Sequence, residues 1–273
     1  MQKMEILRRS IRSQVRALVG SREAPPPPEG GLFPPGSACR KVHGDFTTMM
    51  IGGVSALLLQ MLHPSALAGV WDHSNFRADM QGRLKRTARF VSSTTFGPVD
   101  EADDMIARVR AIHDRVHGIL PDGRAYSAND PAVLTWVHIA GQASFLASYM
   151  RYRDPAFPAA EQDRYYRETS EIARRLGATD VPESAAQAAD YLRSMRGVLK
   201  ADHRSREVAR ALLTQPAPNL ALVPFHRLVI SAGIDLLPDW AARMHGLSTP
   251  VVTQPAIRAG ATGVGNLMRW ALR

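Results

Sequence analysis

FTTMMIGGVSALLLQMLHPSALAGVW, residues 46–71, contains no Asp, Glu, Lys or Arg. Its length approaches that of a membrane span. Gly52, Gly53, Gln60, His63 and Pro64 interrupt it, however, and proline ends a helix by removing a backbone donor and crowding the preceding turn. The stretch therefore reads as a buried core helix ending near His63, with a short second helix from Pro64. An apolar helix of this kind needs other helices to cover it.

The flanking sequence supplies them. Apolar spacing and Pro, Gly and Asp punctuation predict helices over 45–62, 64–70, 81–95, 98–118, 130–152, 159–176, 183–199, 204–214, 219–235, 237–245 and 253–271. Asp130 with Pro131 gives a cap and a first-turn proline; Pro158 opens the next helix and Gly177 closes it. Alternating β-type runs are nearly absent, and LALVPFHRLVISAGI (220–234) is the one ambiguous stretch. The expectation is all-α: a single multi-helix domain of about ten helices over 37–273. Residues 1–36 precede it as a basic helix and a proline-rich linker, with Pro25 to Pro28 favouring an extended segment.

The chain has 273 residues, 45% hydrophobic and 22% charged, with a net charge of +9. Four of the 34 basic residues are Lys and the rest are Arg. Residues 1–24 carry six bases and two acids, so +4 of the +9 sits in the tail. The remainder is dispersed, and no RNA-binding fingerprint or zinc finger is visible, which argues against a nucleic-acid partner. Cys39 is the sole cysteine. An internal disulfide and cysteine-based zinc or iron–sulfur sites are therefore excluded. The N-terminus lacks the apolar core of a signal peptide, and no span crosses a membrane, so a cytoplasmic location is expected. In the tail, Ile6, Leu7, Ile11, Val15 and Leu18 recur at helical spacing beside Arg8, Arg9, Arg12 and Arg16. Docking of this amphipathic helix on the body is the plainer reading; peripheral membrane contact through residues 1–20 is the alternative.

Three groups of residues could carry chemistry. In ARVRAIHDRVHG (107–118), helical spacing puts Arg110, His113 and His117 on one face. The pair His113 and His117 could hold a metal with a third ligand from His63, Asp72 or His138; alternatively one histidine is an axial ligand to haem iron. In GRLKRTARF (82–90), Arg83, Arg86 and Thr87 share a stripe that can bind an anion, while Lys85 and Arg89 face solvent. His63, at a helix end, and His138, on an otherwise apolar helix, are either satisfied core histidines or pocket residues.

The ordered series HGD, LLLQMLHPSALAGVWDHSNFRAD, GRLKRTARFVSSTTFG, RVRAIHDRVHG and PDGRAYSANDPAVLTWVH resembles the DUF2236 family of MpaB-type and rubber oxygenases over about residues 37–247. The resemblance implies a globin-like all-α fold and a haem b oxygenase that uses dioxygen to cleave double bonds in hydrophobic, isoprenoid substrates. It implies His113 as the iron ligand, three residues after Arg110. It places Arg83, Arg86 and Thr87 on the distal side, as haem-binding residues of which Arg86 and Thr87 take part in catalysis. His63 and His138 are pocket candidates. The family's distal pattern is Arg-x-x-Lys-Thr, and Arg86 stands where that lysine would be. Arginine stays protonated and is a poor iron ligand. Two readings remain beside haem: a non-haem metal oxidoreductase built on His113 and His117, and a non-catalytic helical protein that binds lipid or a partner.

Overall fold

A computed structural model describes residues 31–272, together with Glu5, Arg8, Arg9, Arg12 and Ser13 of the tail. The proline run and the apolar tail residues lie outside the described residues. Between residues 31 and 272, which are all described, lie twelve α-helices: α1 (Ala38–His43), α2 (Phe46–Gln60), α3 (Pro64–His73), α4 (Met80–Phe96), α5 (Val99–His113), α6 (Pro131–Tyr152), α7 (Ala159–Leu176), α8 (Ala185–Ser194), α9 (His203–Leu213), α10 (Val223–Leu236), α11 (Asp239–His245) and α12 (Gln254–Leu272). A two-stranded antiparallel hairpin, β1 (His117–Ile119) and β2 (Ala125–Ser127), separates α5 from α6.

The charge-free stretch folds as α2 and α3, bent by 102° at His63. No single helix among the described residues is long and apolar enough to cross a membrane. α2 instead lies along α6 at the centre of the molecule. Gly52 allows this approach: a Cβ there would lie 3.0 Å from the Phe145 Cα and the Ser144 carbonyl. Ile51, Leu58, Leu59 and Trp136 are fully buried at this crossing, each stabilising the fold by about 1.5–3 kcal/mol. Polar atoms between the two helices are paired. Trp136 Nε1 donates to the Gln60 carbonyl (3.2 Å), and Gln60 Nε2 donates to the Val137 carbonyl (2.8 Å). The Ser148 hydroxyl donates to the Thr48 carbonyl (2.8 Å).

α10 covers the other flank of α2, with Phe225 stacked on Phe46 at 6.2 Å. Asp235, at the end of α10, is almost wholly buried and receives Arg151 at 3.3 Å and Arg258 at 2.8 Å. The N-cap of α2, Asp45, accepts from the Thr48 amide and forms an ion pair with Arg269 of α12 at 2.7 Å. In the tail, Arg12 donates to the Ala271 carbonyl (2.8 Å) and Arg8 lies over the Trp270 ring. These contacts dock part of the tail on α12.

Several expectations need correcting. The helix expected over 98–118 stops at His113, because Val116 and Gly118 turn into the hairpin. His117 therefore begins β1, exposed, and does not share a helix face with His113. α3 continues to His73, so Asp72 is helical and accepts from the Tyr126 hydroxyl (2.6 Å). The ambiguous 220–234 stretch is helical after one 3₁₀ turn. The short helix α1 and the hairpin have no counterpart in the sequence reading.

Candidate active site

α4 and α5 pack on each other and are joined by Gly97 and Pro98. α4 carries Arg83, Arg86 and Thr87, and α5 carries Arg110 and His113.

They are not equivalent. Arg83 is half-buried: its guanidinium donates to the Ser74 hydroxyl (3.2 Å), and burial, then the nearby Arg86, lower its pKa. It closes a small apolar void lined by Leu57, Met61, Met80 and Leu212. Arg86 and Thr87 do not turn inward with it. Arg86 is exposed and pairs with Asp79 at 3.2 Å, and the exposed Thr87 hydroxyl donates to the Arg83 carbonyl (3.2 Å). The expected inward stripe is therefore Arg83 alone. Lys85 and Arg89 are exposed, as helical spacing predicts. Among helices, α4 packs on α5 and α1.

Arg110 is exposed and donates to the Arg175 carbonyl at 3.3 Å. His113 is half-buried. Burial lowers its pKa, against the neighbouring Asn129 side chain and Asp114, which raise it. The ring is therefore neutral at pH 7. Its Nδ1 is buried and makes no hydrogen bond of normal geometry among the described residues, with the Asn129 side chain, whose Oδ1 is also unpaired, close enough to raise its pKa. Asn129 fastens this corner by donating to the Asp114 carboxylate (2.7 Å) and the Arg110 carbonyl (3.3 Å).

His63 and His138 share this unpartnered condition but lie elsewhere. His63 caps α3 without using its side chain, tilts against Trp136 at 6.0 Å, and has its pKa lowered to about 4 by burial. His63 Nδ1 and His138 Nε2 are both buried without partners. His138 keeps some accessible surface, yet burial, then the charge of His43, lower its pKa to about 3. The carbonyl partner expected for a core histidine is not there.

The sequence reading missed His43. It is buried on α1 and joins four elements. The Thr95 hydroxyl donates to Nδ1 (2.8 Å), with Cys39 Sγ 3.5 Å from the same nitrogen. Nε2 donates to the Tyr165 hydroxyl (2.9 Å), which in turn donates to Gln142 Oε1. Burial lowers the His43 pKa to about 4 and raises those of Cys39 and Tyr165. The four-residue spacing of Cys39 and His43 was the available signal.

Neutral, unpartnered imidazoles and half-buried or exposed guanidiniums are the donors an iron porphyrin needs: a nitrogen for the metal and cations for the propionates. His113 is the imidazole that follows Arg110 by three residues on α5. Among the described residues no group of three His, Cys, Asp or Glu side chains is placed to hold a metal ion. With His117 displaced into β1, the three-ligand reading loses its basis.

Residues 40–271 match the family described as ER-bound oxygenase mpaB/B'/Rubber oxygenase, catalytic domain. No curated protein and no solved structure matches the chain.

Proposed function

This chain belongs to the MpaB/rubber oxygenase catalytic-domain family, and from that premise we propose that it is a haem b-dependent oxygenase acting with dioxygen on a hydrophobic, isoprenoid-type substrate. The observation that carries the reading is His113, a neutral imidazole with a buried nitrogen that makes no hydrogen bond among the described residues, at the C-terminal end of α5. In this reading His113 holds the iron. Arg83 and Arg110 pair with the propionates, and Arg86 and Thr87 serve the oxygen-binding side. His63 and His138 line the pocket.

The haem, when bound, supplies the activation of dioxygen; the protein sets ligation, access and polarity. Burial keeps the His113 lone pair free at neutral pH, because protonation would place an unpaired charge in the interior. Arg83 presents its charge from a half-buried position, where an ion pair is screened less than at the surface. Arg86 stays protonated, so it can donate to a bound anion but not ligate. Lys85 does not replace the family's lysine, since one helical step turns it about 100° away.

Hemin titrated into the purified protein should give a Soret band that His113→Ala abolishes and His117→Ala leaves intact. A protein that stays colourless, or a band indifferent to His113, would overturn the reading.

A further inference from the structure

A cleft of about 660 Å³ opens outside the residues described above, between the 214–219 loop that follows α9 and the first half of α10. That volume lies in the range of small-molecule sites, about 300–1,000 Å³. Leu213, Val223 and Ile230 give it apolar surface; Asn219, His226 and Arg227 give it polar surface. Neither Asp nor Glu lines it. Arg227 is exposed and has no ion pair or side-chain hydrogen bond among the described residues. His226 is half-buried with its pKa lowered by burial, so it is a neutral hydrogen-bonding group and not a second cation.

The cleft adjoins the candidate active site. Gln81, two residues before Arg83, donates from Nε2 to the Pro216 carbonyl at 3.1 Å and ties the loop to α4. Leu213 lines the cleft, while its neighbour Leu212 lines the void that Arg83 closes. The last turn of α9 is thus shared between cleft and void.

We propose that this cleft binds an amphipathic carboxylate, with Arg227 taking the carboxylate and the apolar chain lying on Leu213, Val223 and Ile230, and that it is the entrance for the oxygenase substrate. A single unpaired guanidinium in an acid-free cleft selects an anion, and its planar fork matches a carboxylate with two parallel hydrogen bonds. The apolar wall favours a hydrocarbon chain by burial. The entrance role rests on the oxygenase reading; the binding does not.

cis-Parinaric acid and its methyl ester, titrated separately into the full chain without added haem and excited directly, test the assignment. The acid should bind about tenfold more tightly than the ester, the effect of one charge-assisted pair. Arg227→Gln should remove that difference and leave the ester unchanged. Ser231→Phe and Ala217→Phe, which fill the cleft from opposite sides, should each weaken both ligands. Equal affinity for acid and ester overturns the proposal. So does unchanged binding in both phenylalanine variants with native circular dichroism. Hemin uptake is scored separately: parinaric acid binding without a Soret band would remove the oxygenase reading and leave the cleft, and the reverse result would do the opposite.

Discussion

His43 and His138 are close enough for one to weigh on the other's protonation, yet they belong to two kinds of interior. His43 has both ring nitrogens engaged, by Thr95 on one side and Tyr165 on the other. His138 Nε2 is equally buried and has no partner. His63 and His113 are in the same condition. Buried polar groups are almost always hydrogen-bonded, because an unpaired one keeps the cost of leaving water. A fold that ties one histidine on four sides and leaves three untied is not short of partners. The tied one belongs to the architecture; each of the untied ones keeps a buried ring nitrogen free.

The largest test of this contrast concerns what both kinds share. His43, His63 and His138 have pKa values lowered to about 4, 4 and 3 from 6.5. Between those values the unfolded chain binds more protons than the folded one, so stability is full above pH 6.5 and falls with falling pH. Each histidine contributes a slope of up to about 1.4 kcal/mol per pH unit. Urea melts of the haem-free protein at pH 7, 6 and 5 should show a loss of several kcal/mol in sum. A flat profile would mean that these rings are not held neutral.

Substitution then separates the two kinds. His43→Leu strands the buried Thr95 hydroxyl and removes the donor to Tyr165, and should cost about 2–4 kcal/mol by urea denaturation. His138→Leu strands nothing and removes an unpaired atom. It should be neutral or stabilising by up to ~1 kcal/mol in the haem-free protein, while weakening hemin binding. Equal losses for the two variants would erase the distinction. The smallest effect belongs to Arg86→Lys. Its exposed pair with Asp79 is worth less than ~1 kcal/mol, so the melting temperature should stay within about 2–4 °C. The optical spectrum of the reconstituted protein should shift, because lysine, unlike arginine, can ligate iron.

Sequence was a good guide where a local residue decides an element. α7 runs over the expected 159–176, opened by Pro158 and closed by Gly177 at φ 108°, a backbone angle that favours glycine. The end of α5 was not legible, because its cause is distant. Gly118 passes so close under Tyr126 that a Cβ would lie 2.9 Å from the ring, and Tyr126 is held by Asp72 on α3. α1, at six residues, is too short to show helical periodicity. For the site, helical spacing put Lys85 outward, as it is, but turned Thr87 inward with Arg83, whereas Thr87 is exposed. It could not show that Arg86 swings to Asp79, nor that three histidines lack partners. A missing hydrogen bond depends on everything brought near a residue, and no short stretch of sequence contains that.

The ion pair between Asp45 and Arg269 joins residues 224 positions apart. Asp45 caps the central helix, and Arg269 stands near the end of the last one. On the ribosome, α2 emerges long before the arginine that pins its first turn. The pairing between them therefore waits for 224 further residues to be made. Contacts of such long sequence separation slow folding, and the charge-free segment waits meanwhile with its apolar surface open. The same helix that makes the finished interior is thus the charge-free surface exposed on the way to it.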